Sequence, residues 1–169
     1  DVGDILVNLG ALAYAQEDRA EAARYFERAR EVWEASLGPD NIKVATVLTN
    51  LARVYWGQGN LTRAESLYVR ALDIKQKVLE PDHTSIASSL HGLATVYRDQ
   101  RRFEEAEPLF RRALNIWGSV PEPDGARLAR AHREFADMMR AAGRPQVADS
   151  LELRAQQLLD VSGSGSGSD

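Results

Sequence analysis

LTNLARVYWGQGNLTRAESLYVRALDIKQKVLEPDH, residues 48–83, is the stretch whose reading decides the fold. Leu51, Ala64, Tyr68 and Ala71 within it stand 42 residues after Leu9, Ala22, Phe26 and Ala29, and 42 before Leu93, Ala106, Phe110 and Ala113. A fixed period of this length is the signature of a helical repeat array. The alanines recur where two helices must approach closely, and the large apolar residues recur at helical spacing on the face that closes over them.

Working outward, the first unit pairs a leading helix carrying Leu6, Leu9, Leu12 and Ala13 with a return helix carrying Ala22, Phe26, Ala29 and Val32. The turn falls at Glu17 and Asp18, with Asp18 placed to cap the return helix. In the second unit the turn is Gly57-Gln58-Gly59-Asn60, and Asn60 takes the cap position. The third unit repeats the pattern through Leu90, Leu93, Ala94 and Tyr97, then Ala106, Phe110, Ala113 and Leu114, with Pro108 early in its return helix. Pro39-Asp40, Pro81-Asp82 and Pro123-Asp124 separate the units in register. Proline stops one helix, and the aspartate after it is expected to cap the next.

A fourth unit starts near Ala126 and departs from the pattern, with His132 in the column of Leu48 and Leu90, Met139 in that of Tyr97, and Glu152 in that of Phe110. Terminal repeats tolerate this because they need a wetter outer face. The expected organisation is one repeat domain over residues 1–161, in units of about 4–38, 42–80, 84–120 and 126–160. Residues 162–169, SGSGSGSD, read as a flexible Gly/Ser linker or an engineered tail.

The order of Leu51, Ala52, Tyr55, Ala64, Tyr68 and Ala71 resembles the tetratricopeptide signature, whose period is about 34 residues. The longer spacing, and stretches such as LHGLATVYRDQRRFEEAEPLFRRALNIW at residues 90–117, are similar to the 42-residue subclass found in kinesin light chains, nephrocystin-like proteins and many bacterial signalling proteins. That resemblance covers about residues 4–160. It implies an all-α, right-handed superhelical solenoid of antiparallel helix pairs, which works as a non-catalytic protein-interaction module.

Composition narrows the function in the same direction. A net charge of −4 and a pI near 5.5 disfavour generic attraction to nucleic acid or anionic lipid. The chain has no cysteine, which removes disulfides and thiolate metal sites and suits a reducing, cytoplasmic location. No apolar run approaches the roughly 18–20 residues needed to cross a bilayer, and no basic-then-apolar leader opens the chain. The chain is therefore read as soluble and as a piece cut from something longer. His83, His91 and His132 lack metal-ligand spacing, no Gly-rich phosphate loop follows a strand, and Glu21, Glu104 and Glu105 fall in first turns where carboxylates suit the helix dipole. No cofactor, metal or catalytic residue is expected.

The resemblance further implies that the leading helices line a concave face. The positions there that point away from the return helices give Asn8, Ala11 and Tyr14, then Thr49, Asn50, Arg53 and Trp56, then His91, Thr95, Arg98 and Asp99, and in the fourth unit Arg133, Asp137 and Arg140. Asn50 can donate and accept to a peptide backbone, Arg53 and Arg98 can grip carboxylates, and Trp56 offers an apolar anchor. A short linear peptide, acidic with one apolar anchor, is the expected partner. The chaperone-tail clamp of some family members is disfavoured, since Val7, Ala11, Ser88 and Gly92 stand at its polar positions and only Asn50 matches. Two alternatives stand beside this reading. One is an assembly module or designed scaffold self-associating through terminal helices, with Leu151, Leu153, Leu158 and Leu159 making the C-terminal helix apolar. The other is the sensor region of a larger signalling enzyme.

Overall fold

A computed structural model describes residues 1–164, in which the chain forms eight helices and no strand. They are α1 (Val2–Ala15), α2 (Arg19–Leu37), α3 (Ile42–Gly57), α4 (Leu61–Val78), α5 (Thr84–Asp99), α6 (Phe103–Ser119), α7 (Gly125–Ala141) and α8 (Pro145–Ser164). Each odd helix packs on the even helix after it, and α3, α5 and α7 also pack on the even helix before them. The result is an all-α solenoid. As described, α8 runs to Ser164, and the rest of the expected linker, residues 165–169, lies outside the described residues.

The alanine columns set the crossings. Ala22, Ala64, Ala106 and Ala148, and likewise Ala29, Ala71, Ala113 and Ala155, are all fully buried, so the register persists through the fourth unit despite its altered sequence. The turns repeat as well. Glu17, Gly59, Arg101 and Gly143, each 42 residues apart, all take positive φ, between 62° and 77°. Two of the four turns therefore hold a non-glycine residue in the left-handed region, where a Cβ is disfavoured.

Capping follows expectation at the first two return helices and departs from it at two leading ones, while Arg102 at the start of α6 makes no side-chain cap. Asp18 accepts from the Glu21 N–H at 2.9 Å, and Asn60 from that of Arg63 at 3.2 Å. Asp124 caps α7 through the Arg127 N–H at 2.9 Å. Asp40 and Asp82 do not cap, because α3 and α5 begin one register position later than α7. Their caps are Asn41, which accepts from Lys43 at 2.9 Å, and the His83 ring, whose Nδ1 accepts from the Ser85 N–H at 3.0 Å. Pro108 lies inside α6 on an exposed face, one turn after its acidic start.

The two ends of the array differ from the sequence expectation. Leu9 and Leu12, read as part of the closing face, are 38% and 55% exposed, and Val2 and Ile5 are each 61% exposed. Their counterparts on α3, namely Val44, Val47, Leu51 and Val54, are fully buried against α2. The cause is positional: no return helix packs on the outer side of α1. At the other end, Leu151 and Leu158 are half-buried and pack against the core, leaving Leu153 as the large exposed leucine of α8.

Candidate peptide-binding groove

The leading helices α3, α5 and α7 enclose a cavity of about 500 Å³ with α1, α4 and α6 at its edges and floor. Among the sequence candidates, Tyr14, Thr49, Arg53, Trp56, His91 and Thr95 line it. Asn8, Ala11, Asn50, Arg98, Asp99, Arg133, Asp137 and Arg140 do not. Asn8 is exposed on α1, Asn50 is half-buried on α3, and Arg98 folds onto its neighbour, with Nε donating to Asp99 Oδ1 at 2.8 Å.

Trp56 is held rather than free. Its indole Nε1 donates to Asp99 Oδ2 at 2.7 Å, which fixes the ring across the ends of α3 and α5. Arg53 lies over the Tyr14 ring, 4.9 Å from its centroid, and no carboxylate among the described residues pairs with it. Pre-set aromatic and guanidinium groups of this kind lose little rotamer freedom when they bind.

The structure also brings in residues that reading the leading helices alone missed. Tyr68 reaches the cavity from α4 because Gly92 on α5 leaves room: a Cβ at Gly92 would sit 2.3 Å from the Tyr68 ring. The signal was present, since Gly92 falls in the column of Asn8 and Asn50. Burial pushes the Tyr68 phenol well above its ordinary range. Trp117 enters from α6 at the column of Trp33 and Lys75, and its Nε1 is buried without a hydrogen-bond partner. Trp33, at the open end, donates the same atom to Asp1 Oδ1 at 3.2 Å.

Charge in the cavity is mostly positive. Arg53, Arg127 and Arg130 line it against a single carboxylate, Glu134. His91 Nε2 lies 3.0 Å from Glu134 Oε2, close enough for an ionic contact but without the alignment of a hydrogen bond. Burial alone would raise the Glu134 carboxyl, but His91, with Arg98 and Arg130, holds it below the usual range. The side chain thus stays ionised at neutral pH. An array with a net charge of −4 carries a locally cationic, aromatic groove.

A tetratricopeptide repeat model matches residues 1–77, 44–117 and 85–160, which together span the array. The chain belongs to the tetratricopeptide repeat family. Its fold is similar to that of BtubC (BKLC) from P. vanneervenii, with a TM-score of 0.88 at 24% identity over 99% of this chain. The chain spans 65% of the length of that structure. It is also similar to a kinesin light chain-like protein of Podosopora anserina with nearly identical TPR-like repeats, with a TM-score of 0.80 at 21% identity, covering 95% of this chain and 75% of that one. No curated protein matches the chain significantly. Tetratricopeptide repeats mediate protein–protein interaction and are typically non-catalytic. No helix among the described residues is long and apolar enough to cross a membrane, and no group of three or more potential metal ligands occurs among them.

Proposed function

We propose that this tetratricopeptide array binds a short linear peptide on its concave face, with a carboxylate beside Arg53 and an apolar side chain against Trp56. The observation that carries this reading is the joining of unpaired Arg53, anchored Trp56 and the Tyr68 ring in one cavity of about 500 Å³. A cavity of this size, aromatic with a few placed cations, suits side-chain capture. The acidic preference rests on Arg53, Arg127 and Arg130 outnumbering Glu134.

The test uses peptides selected from a random display library against the wild-type chain. Trp56→Ala and Arg53→Glu are expected to weaken binding ten-fold or more with unchanged helicity, because truncated anchors at an interface centre commonly cost about 2 kcal/mol. Arg28→Glu, on the convex side, is expected to have no effect. Arg53→Glu is also expected to flatten the salt dependence, since it removes the attraction that ions screen. Loss of binding in the Arg28 variant with retention in the other two places the partner on the convex surface and overturns the assignment.

A second reading, self-association, is favoured by α1 rather than by the C-terminal helix expected from sequence. Val2, Ile5, Leu9 and Leu12 follow alternating three- and four-residue steps along one exposed stripe, and Asp4 is the only charged residue in α1. The outward positions of α8, in the columns that α3, α5 and α7 cover in earlier units, include Glu152 and Gln156, so the two ends do not match. A two-fold α1–α1 contact is self-complementary. The 14-residue helix is about 21 Å long, which limits the contact to a weak dimer. Sedimentation across a concentration series is expected to show a mass that rises toward a dimer and stays monomeric in Ile5→Lys/Leu9→Lys. A wild-type mass independent of concentration removes this reading.

A further inference from the structure

Lys75 is unusual among the charged side chains of this chain in being 2% exposed. It lies on α4 in the column that holds Trp33 in the first unit and Trp117 in the third. In those units a cation on the next leading helix covers the indole, Lys43 over Trp33 at 5.1 Å and Arg127 over Trp117 at 5.6 Å. The middle unit reverses the arrangement. The cation comes from the return helix, and Ser85 stands where Lys43 and Arg127 stand.

The Lys75 ammonium donates to Thr49 Oγ1 at 2.9 Å, to Ser89 Oγ at 2.8 Å and to the Ser85 carbonyl at 3.1 Å. Its three protons are matched by three neutral acceptors. No carboxylate among the described residues pairs with it, and burial is the one influence acting on its titration. A charge buried without a counter-ion is costly, and its field is weakly screened. One of its acceptors, Thr49, also lines the concave cavity, so the uncompensated charge sits a single hydroxyl behind the groove wall.

We infer that Lys75 is a specificity-determining residue of the groove, favouring a ligand carboxylate seated against Thr49 and Ser88 over a neutral group in the same place. This rests on the groove reading above. The ligand carboxylate is the counter-ion that the fold does not provide. Arg53, Arg127 and Arg130 reach the same cavity from exposed positions, where water and salt weaken their fields. Lys75 is shielded from both.

The test compares an acetylated, amidated hexapeptide of alternating Glu and Leu with its Gln and Leu counterpart. Binding is followed by NMR at the Trp56 indole and the Thr49 methyl, in the wild type, Lys75→Met and Lys75→Arg. In the wild type the Glu peptide is expected to perturb both signals and to bind at least ten-fold more tightly than the Gln peptide. In Lys75→Met the preference is expected to fall several-fold, with the Gln peptide binding as before, and Lys75→Arg is expected to restore it. A residue that merely packs the core would shift both affinities together. If both peptides bind and the preference is unchanged in Lys75→Met, the Lys75 assignment is overturned while the groove stands. If neither peptide perturbs Trp56 or Thr49, the groove reading falls and this inference with it.

Discussion

Lys75→Met is expected to raise the stability of the folded chain at pH 7 by about 1–3 kcal/mol, the range seen when buried charges give way to apolar groups of similar volume. Burial lowers the Lys75 pKa from 10.5 to about 8, a difference worth on the order of 3 kcal/mol. Little is orphaned by the change, because Thr49 Oγ1 still donates to the Ala45 carbonyl at 2.9 Å and Ser89 Oγ has the Ser85 carbonyl at 3.4 Å. The sign of the pH dependence follows from linkage. Below pH 8 the lysine is charged in both states and the penalty is complete. Between about 8 and 10.5 the unfolded chain holds more protons than the folded one, so wild-type stability rises with pH. Urea midpoints for the pair are therefore expected to differ most at pH 7, with the gap reduced by roughly half at pH 9.5 and closing only near pH 10.5. The facing helices present Thr49, Ser85 and Ser89 to the ammonium, none of which titrates in that window. Tyr55, Tyr68 and Tyr97, whose raised pKa values oppose the trend, act only above about 10 and are common to both proteins. A Lys75→Met chain that is less stable at pH 7, or a gap that does not narrow, would show that the three hydrogen bonds outweigh the burial of charge.

Gly92→Asn is expected to destabilise the fold by about 1–3 kcal/mol through overpacking, although asparagine is a better helix former than glycine. The column itself argues the point. Asn8 and Asn50 occupy the same repeat position as Gly92, and the residue one unit before Tyr68 in its column is Phe26, which lacks a hydroxyl. Beneath Gly92 lies Tyr68, whose Cζ and hydroxyl oxygen would be 2.3 and 2.5 Å from a new Cβ. The ring is 3% exposed and wedged between α3 and α5, so it cannot swing aside cheaply. Tyr68→Phe in the same chain reproduces the Asn–Phe combination that these columns hold one unit earlier, removes one of the crowding atoms and is expected to recover part of the loss. Thermal melts of the two single variants and the double variant form a cycle that measures the coupling. Additive effects would mean that the two residues do not compete for this space.

Much of the array was legible because repetition is a property of the chain. Alanines every 42 residues can be buried only if every unit crosses at the same point, and they are buried even where Glu152 replaces the large ring of earlier units. The aspartate after each proline was a weaker guide, since a one-position shift in where a helix starts hands the cap to Asn41 or His83. Part of the candidate groove was legible for the same reason as the fold: Tyr14, Thr49, Arg53, Trp56, His91 and Thr95 lie on leading helices at positions facing away from their partners. Arg98 failed to join them because Asp99, its neighbour in sequence, accepts from both it and Trp56.

The sequence by itself determined the all-helical fold, its helix count and the small-residue crossings, because the pattern that carries them is written along the chain. Tertiary structure alone decided which neighbours meet. It raised Tyr68 into the groove through the gap at Gly92, and it exposed the apolar stripe of α1 that the same pattern buries in α3. It also enclosed Lys75 among hydroxyls. The period assigns each residue a column, but burial and charge pairing depend on the units on either side, and those contacts form only when the array is stacked.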